Sequence, residues 1–170
     1  MDVSIAVRER RSIRSFLPKE LPEEVIGELV DALRWAPSAG NLQSRKFYFV
    51  RDGNIRKRLA AAALNQRFID ASGLVVVCCA DARIGRHYGE RGVALYSIQD
   101  VSASIMCMML VAHEKGLGTC WVGAFREKEV SEILHLPDYL RPVALVPVGY
   151  PAKAPSRTSR VPAEEATVFV

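Results

Sequence analysis

The sequence has little that would suit a metal site, a membrane span or a secretory signal. Its four cysteines and three histidines show no spacing typical of metal ligands. The longest nearly apolar stretch, residues 101–112, is too short to cross a bilayer, and residues 1–4 do not begin a signal peptide. We therefore expect reduced core cysteines, no metal, no membrane span and a cytoplasmic location.

Long basic runs and phosphate-binding glycine loops are missing as well. The net charge of +4 comes from scattered arginines without interleaved aromatic residues, which argues against nucleic acid as a partner. Gly85, Gly89 and Gly92 have the wrong spacing for a Walker loop or a dinucleotide fingerprint. Hydrophobic residues make up 49% of the 170 positions and charged residues 25%, which is typical of a globular protein. This length and composition predict one domain spanning residues 1–170.

Hydrophobic periodicity predicts alternating helices and strands. Helices are expected at 22–35, 55–64, 97–115 and 127–134, and strands at 46–50, 73–80, 117–123 and 143–148. The β-branched run at 73–80 is typical of a central strand covered on both faces, which would place Cys78 and Cys79 on opposite sides. The glycine-rich, charged stretch from Asp81 to Gly92 is expected to be an exposed loop.

The C-terminal segment, residues 151–170, is rich in proline, alanine, serine and arginine, and then turns apolar. The alternation at 166–170 could pair as a last strand. This tail has no core of its own, so we expect it to dock on the body of the chain or on a second subunit.

Three cations and a hydroxyl lie together in Arg10-Arg11-Ser12-Ile13-Arg14. Guanidinium groups bind phosphate through paired hydrogen bonds and keep their charge, and a serine hydroxyl can donate one more bond. The cluster is therefore a candidate phosphate site, although a solvated basic face would give the same pattern.

Two further segments combine small residues with hydrogen-bonding groups. Residues 36–43, Ala-Pro-Ser-Ala-Gly-Asn-Leu-Gln, would let a flat ligand approach the backbone and offer it amide donors and acceptors. Residues 116–125 place glycines where a strand passes into a helix, a turn that can direct backbone N–H groups at a ligand. A helix stop with a polar turn, and a plain strand-to-helix turn, are the alternatives.

Taken in order, these segments resemble the motifs of the nitroreductase family of flavin enzymes. The resemblance covers residues 10–16, 36–43 and 116–125, and continues in Val148-Gly149-Tyr150-Pro151 followed by Arg160. It implies an α+β fold with a central mixed or antiparallel sheet flanked by helices. It also implies an intertwined homodimer with FMN at the subunit interface.

The resemblance further implies roles for individual residues. Arg10, Ser12 and Arg160 would bind the FMN phosphate, with Arg157 as a rival to Arg160, and Arg14 would reach the pyrimidine edge of the ring. The role of Arg11 is less defined. The partner subunit would supply Pro37, Ser38, Ala39 and Asn41, with Gln43 nearby, and Val122 and Gly123 would present backbone to the ring. No side chain need be catalytic.

The implied activity is hydride transfer from NADH or NADPH to FMN, followed by ping-pong reduction of a flat acceptor such as a nitroaromatic or quinone. The alternatives are an enone or halogenated aromatic as the acceptor, or a non-catalytic FMN-binding protein.

This chain departs from the family pattern after the second motif. Where the family often continues with proline and tryptophan, this chain has Ser44-Arg45. With only residues 81–92 available as a lid, we expect an open pocket.

Overall fold

The computed structural model describes residues 1–153 and 155–170. The helices are α1 (Val3–Glu9), α2 (Glu23–Trp35), α3 (Gly53–Ala62), α4 (Gly85–Arg91), α5 (Ser97–Glu114), α6 (Glu127–Leu134) and α7 (Ala163–Ala166). The strands are β1 (Arg45–Val50), β2 (Leu74–Asp81), β3 (Gly118–Thr119) and β4 (Leu140–Gly149). The predicted long helices and the strands β1, β2 and β4 are confirmed.

A four-stranded sheet in the order β1-β2-β4-β3 forms the centre of the fold. All three strand pairs are antiparallel, and one isolated parallel bridge joins Ser12 to Thr119. Every residue of β2 is buried, as the β-branched run predicted. Helices α2 and α5 cover one face and α3 and α6 the other, which is the expected α+β arrangement.

The two faces of β2 belong to two separate apolar clusters because successive strand side chains point in opposite directions. Val76 and Cys78 pack with α2 and α5, whereas Val77 and Cys79 pack on the α3 and α6 side. The opposite placement of the two cysteines is therefore confirmed. Burial raises the pKa of both thiols, that of Cys79 to about 12.

Helix α5 is the central helix of the fold. Length and composition alone would let the helical run Ala82–Glu114 cross a membrane. However, Gly89 interrupts this run with φ 57° and ψ −149°, and Val101, Ile105 and Met108 are fully buried in the core. It is a core helix with one open stripe, where Met106 is 40% exposed.

Three expectations differ from the structure. Residues 82–91 are helical rather than a loop, because Asp81 accepts the Arg83 N–H and begins a 3-10 turn that continues into α4. The strand expected at 117–123 is reduced to Gly118 and Thr119 with a bridge at Val122. The last strand expected at 166–170 does not form, since Ala166 ends the short helix α7 and Val168, Phe169 and Val170 are fully or nearly fully exposed.

The tail is joined to the body near its start. Phe16 bridges to Pro151, Ala152 N–H donates to Ser15, and Arg157 pairs with Glu9. Beyond Pro155 every residue is exposed, so docking on the body is limited to these contacts. Docking on a second subunit stays a prediction.

Candidate functional site

The segment that carries the arginine cluster lies along the edge of the sheet. Ile13 N–H donates to Thr119 at 2.8 Å, and Phe16 bridges to Pro151 further on. A Cβ on Gly118 would approach the Ile13 side chain to 2.6 Å. Only glycine at this position therefore lets the arginine segment lie this close to β3. The segment is thereby fixed beside β3, with the arginines at the sheet edge.

Arg10, Ser12 and Arg14 converge around the buried Cys120. Burial raises the pKa of the Cys120 thiol, while Arg14, a hydrogen bond with Ser12 and Arg10 act in the opposite direction. Partial burial, followed by the charges of Arg160 and Arg11, lowers the pKa of Arg10. The charge of Arg160 therefore acts on Arg10, and a shared anion between Arg10, Ser12 and Arg160 stays a prediction.

An open groove of about 540 Å³ lies beside this cluster. Ser12, Arg14 and Ser15 line one side of it, and Lys153, Pro155 and Ser156 the other. The described lining residues include two cations and three hydroxyls but no carboxylate, a composition suited to a phosphate. Lys153 and Ser156 were missed by the sequence analysis, because no local pattern connects the tail to residue 12.

Arg11 and Arg157 have other partners. The Arg11 guanidinium donates to the backbone oxygens of Arg8 at 2.6 Å and Arg10 at 2.8 Å, which completes the end of α1. Arg157 is paired with Glu9. Arg160 donates to the Thr158 hydroxyl at 2.8 Å and has no carboxylate partner among the described residues. Of the two tail arginines, the geometry favours Arg160 as the phosphate ligand.

The second motif forms a strained loop between α2 and β1. Gly40, Asn41 and Gln43 all have left-handed φ angles, 54°, 55° and 53°. Asp100 in α5 anchors the loop, because its carboxylate accepts the Ala39 N–H at 2.8 Å and the Ser44 hydroxyl at 2.6 Å. Non-glycine residues held at positive φ commonly mark binding sites.

Ser38 stabilises the same loop from inside, since its hydroxyl accepts the Gln43 N–H at 3.1 Å. The Gln43 side-chain amide donates to the Asn41 oxygen at 3.2 Å. Pro37, Asn41 and Gln43 are exposed and Ser38 and Ala39 are half-buried. The loop thus presents its surface outward, away from its own chain.

Ser44 and Arg45 replace the family's proline and tryptophan with a polar anchor. Arg45 donates to the backbone oxygens of Ala36 at 2.7 Å, Pro37 at 2.9 Å and Arg34 at 3.0 Å. Burial lowers the pKa of Arg45, and the nearby Asp100 opposes this effect. The guanidinium caps the carbonyl end of α2, so the loop is held without an aromatic residue.

The third motif places Val122 and Gly123 differently. The Val122 N–H and C=O both bond to Leu145, at 2.9 and 3.0 Å, and its side chain is buried. Gly123 is exposed and has open space where a Cβ would stand. Of the two, only Gly123 has backbone available to a ligand.

The first and second motifs lie at opposite ends of α5 within one chain. Asp100, in the first turn, holds Ala39, whereas His113, in the last turn, lies beside Arg10 and Arg11; burial and these two charges lower its pKa. These anchors are thirteen residues apart, which is about 20 Å along a helix. A single chain therefore keeps the two halves of the predicted site apart.

Known proteins resemble this chain over nearly its full length. A Methanothermobacter thermautotrophicus protein provisionally named NADH dehydrogenase/NAD(P)H nitroreductase is 28% identical over 159 residues, covering 91% of this chain and 80% of its own. The Bacillus subtilis FMN reductase (NADPH) is 29% identical over 170 residues, covering 92% and 68% respectively.

Solved structures agree with the sequence comparison. The structure of Bacillus megaterium NfrA2 superposes with a TM-score of 0.91 at 27% identity, covering 99% of this chain and 74% of that one. The Nitroreductase family model matches residues 7–68 and 60–150. The chain therefore belongs to the nitroreductase family.

Proposed function

We propose that this protein is an FMN-dependent oxidoreductase that takes hydride from NADH or NADPH and reduces a flat acceptor such as a nitroaromatic or quinone. The observation that carries the proposal is the carboxylate-free groove that Ser12 and Arg14 of the arginine cluster line. Relatives named as nitroreductases and FMN reductases support the same chemistry.

The residues present fit an FMN phosphate. Arg10 and Arg160 would supply positive charge, and Ser12 lines the groove. Lys153 and Ser156 would close the groove from the tail. Arg10 is half-buried in a cluster of like charges, which a bound dianion would stabilise.

The ring would lie between Arg14 and a backbone edge. FMN supplies hydride acceptance from the nicotinamide and electron delivery to the second substrate. Arg14 would stabilise negative charge at the pyrimidine edge of the ring and would transfer no proton. Gly123 offers an open backbone edge, and Pro37, Ser38, Ala39, Asn41 and Gln43 close the site from a second subunit.

A homodimer would bring the two halves of the site together. The exposed stripe of α5 contains Met106, and the neighbouring Ala103, Cys107 and Leu110 are half-buried. Two copies packed antiparallel through this stripe would place the Asp100 end of one helix beside the His113 end of the other. The loop of one chain would then cover the arginine cluster of its partner. We expect this dimer to act in the cytoplasm.

The colour of the purified protein tests cofactor binding. Bound FMN gives a flavin absorption band, which should bleach when NADH or NADPH is added without oxygen and return on addition of a quinone or nitroaromatic. Colourless protein that does not take up added FMN would contradict the proposal. Yellow protein that neither nucleotide bleaches would instead indicate a flavin-binding protein without this activity.

A further inference from the structure

A second open pocket, of about 510 Å³, lies at the end of the sheet where β1 begins and β2 ends. Lys46 pairs with Cys79 and Tyr48 with Val77, so Lys46 and Tyr48 lie on the same sheet face as these two residues. Helix α4 adds Arg86 and His87 to the lining. The pocket is thus built from β1, β2, β4 and α4, and apart from Gln43 its lining has no role in the proposed cofactor site.

Positive charge dominates the pocket. Its described lining includes Arg45, Lys46, Arg83 and Arg86 against a single carboxylate, Asp81. That carboxylate is already engaged, since it accepts the Arg83 N–H at 2.9 Å and the Arg83 guanidinium at 2.5 Å. Within residues 1–153 and 155–170, neither Lys46 nor Arg86 pairs with a carboxylate. An anionic ligand would fit here.

The same pocket offers flat surfaces. The Arg83 guanidinium lies over the Tyr139 ring at 4.2 Å from its centroid, and both residues line the pocket together with Tyr48. A planar base can stack on such a guanidinium or ring. The combination of stacking groups and unpaired cations is typical of sites that bind a nucleotide phosphate.

The pocket also adjoins the loop that would cover the cofactor. Leu42 and Gln43, at the end of that loop, line it. An anionic aromatic ligand bound here would therefore extend toward the site at which the nicotinamide reacts. The pocket volume lies within the range of small-molecule sites.

We propose that this pocket binds the phosphate-bearing adenosine end of NADPH, with Lys46 and Arg86 contacting phosphate and Arg83 with Tyr139 stacking on the base. The inference rests on the proposed function, because it assigns the reductant of that reaction. NADPH carries one more phosphate than NADH, so surplus positive charge at this position favours NADPH.

Direct binding of 2′,5′-ADP, which lacks the nicotinamide, tests the pocket independently of turnover. By calorimetry on the FMN-loaded protein, the double variant Lys46→Gln with Arg86→Gln should bind 2′,5′-ADP at least about 10-fold more weakly than the wild type. The matched control is Lys57→Gln with Arg58→Gln, which removes two exposed cations of α3 outside the pocket. This control should keep wild-type affinity.

Kinetics should show the same selectivity. In the double variant the KM for NADPH should rise about 10-fold while kcat changes little and the KM for NADH changes less. Equal affinity of wild type and double variant for 2′,5′-ADP, or no binding by the wild type, would overturn the inference while leaving flavin bleaching intact. A protein that neither nucleotide bleaches would instead overturn the proposed function, and the calorimetry would still report on the pocket.

Discussion

Arg10 is half-buried, and the positive charges of Arg160 and Arg11 lower its pKa further. A guanidinium in such surroundings is destabilised by lost hydration and by repulsion, and an anion relieves both. Arg8, two residues earlier in α1, is exposed. The two residues therefore separate a direct phosphate contact from a general effect of positive charge.

Substitution of Arg10 tests this directly. Arg10→Ala should weaken FMN binding by about 1.5–3 kcal/mol, or about 10- to 100-fold, because it removes a charge-assisted hydrogen bond. Arg8→Ala removes the same charge and should change affinity far less. Fluorescence titration of the apoprotein with FMN measures both, and equal losses in the two variants would contradict a contact specific to Arg10.

Asp100 is 4% exposed and uses both carboxylate oxygens to anchor the loop at Ala39 and Ser44. Asp100→Asn should lower the free energy of unfolding by about 1–3 kcal/mol. An amide has only one acceptor oxygen, so its NH₂ group would face either the Ala39 N–H or the Ser44 hydroxyl. Urea denaturation measures the change. Asp31→Asn, in an exposed ion pair with Arg34, serves as the control and should cost under about 1 kcal/mol.

The end of helix α5 depends on Gly116. This residue has φ 71°, and a Cβ there would meet nothing within 4 Å, so any cost of substitution comes from backbone strain alone. Gly116→Ala should destabilise the protein by about 1 kcal/mol. Gly27→Ala, in the open interior of α2, should instead stabilise it by about 0.5–1 kcal/mol. Thermal unfolding that shifts both variants in the same direction would contradict this account.

The junction of β2 and α4 should respond to acid through Asp81. Burial acts to raise the pKa of Asp81, but hydrogen bonds from Arg83 outweigh it and lower that pKa below its usual 3.8. Ionised Asp81 therefore stabilises the fold above its unfolded-state pKa, and this contribution is lost as the pH falls through the lower folded-state pKa.

The comparison of wild type with Asp81→Asn measures this contribution. Above about pH 5 the free energy of unfolding of the wild type should exceed that of the variant by a constant amount. Below about pH 4 this excess should shrink. Denaturant titrations between these values and pH 3 give the curve. A difference that stays constant down to pH 3 would show that the ion pair does not stabilise the fold.

Elements with strong periodicity were predictable from the sequence, and those set by distant contacts were not. The one-sided apolar pattern of α2 and the β-branched run of β2 each determine a buried face locally. Helix α4 was missed because its glycines and charges are typical of loops, whereas Asp81 and the edge-on contact of Tyr88 with Tyr96 stabilise it. β3 is short because only Gly118 and Thr119 pair with β4 in a continuous ladder, and the pairing returns as an isolated bridge at Val122.

The residues of the candidate site likewise fall into those that the sequence reveals and those that only the folded chain reveals. The Arg10–Arg14 cluster was recognisable because its chemistry is contained in five adjacent residues. Asp100 was not, because a lone acid in an apolar helix gives no sign of the loop that it binds sixty residues away. Likewise, only the folded chain brings Lys153 and Ser156 to Arg14.

At the scale of the whole molecule, the separation of the two motifs along α5 means that, under the proposed function, the site would need a second copy of the chain. The same stripe that leaves Met106 exposed would become the centre of the interface. Cofactor binding and dimer formation should then be lost together.

Met106→Glu should produce monomers that retain little FMN, because it places a charge in an apolar interface. Light scattering coupled to gel filtration measures mass, and absorbance measures bound flavin. Leu64→Glu, at an exposed position after α3 on the other side of the sheet, is the control and should remain dimeric and yellow. A monomeric Met106→Glu protein with full flavin content would contradict a shared site.

The burial of both faces of β2 also determines which cysteine thiols are reactive. A thiol with a pKa near 12, as for Cys79, is almost never a thiolate at neutral pH, and burial also raises the pKa of Cys78 well above its usual value. Cys120 is buried as well, which leaves Cys107 as the accessible thiol. Maleimide or bimane labels should therefore react at Cys107 in preference to the other thiols, and faster in the monomeric Met106→Glu variant than in the dimer, in which the α5 stripe would be covered.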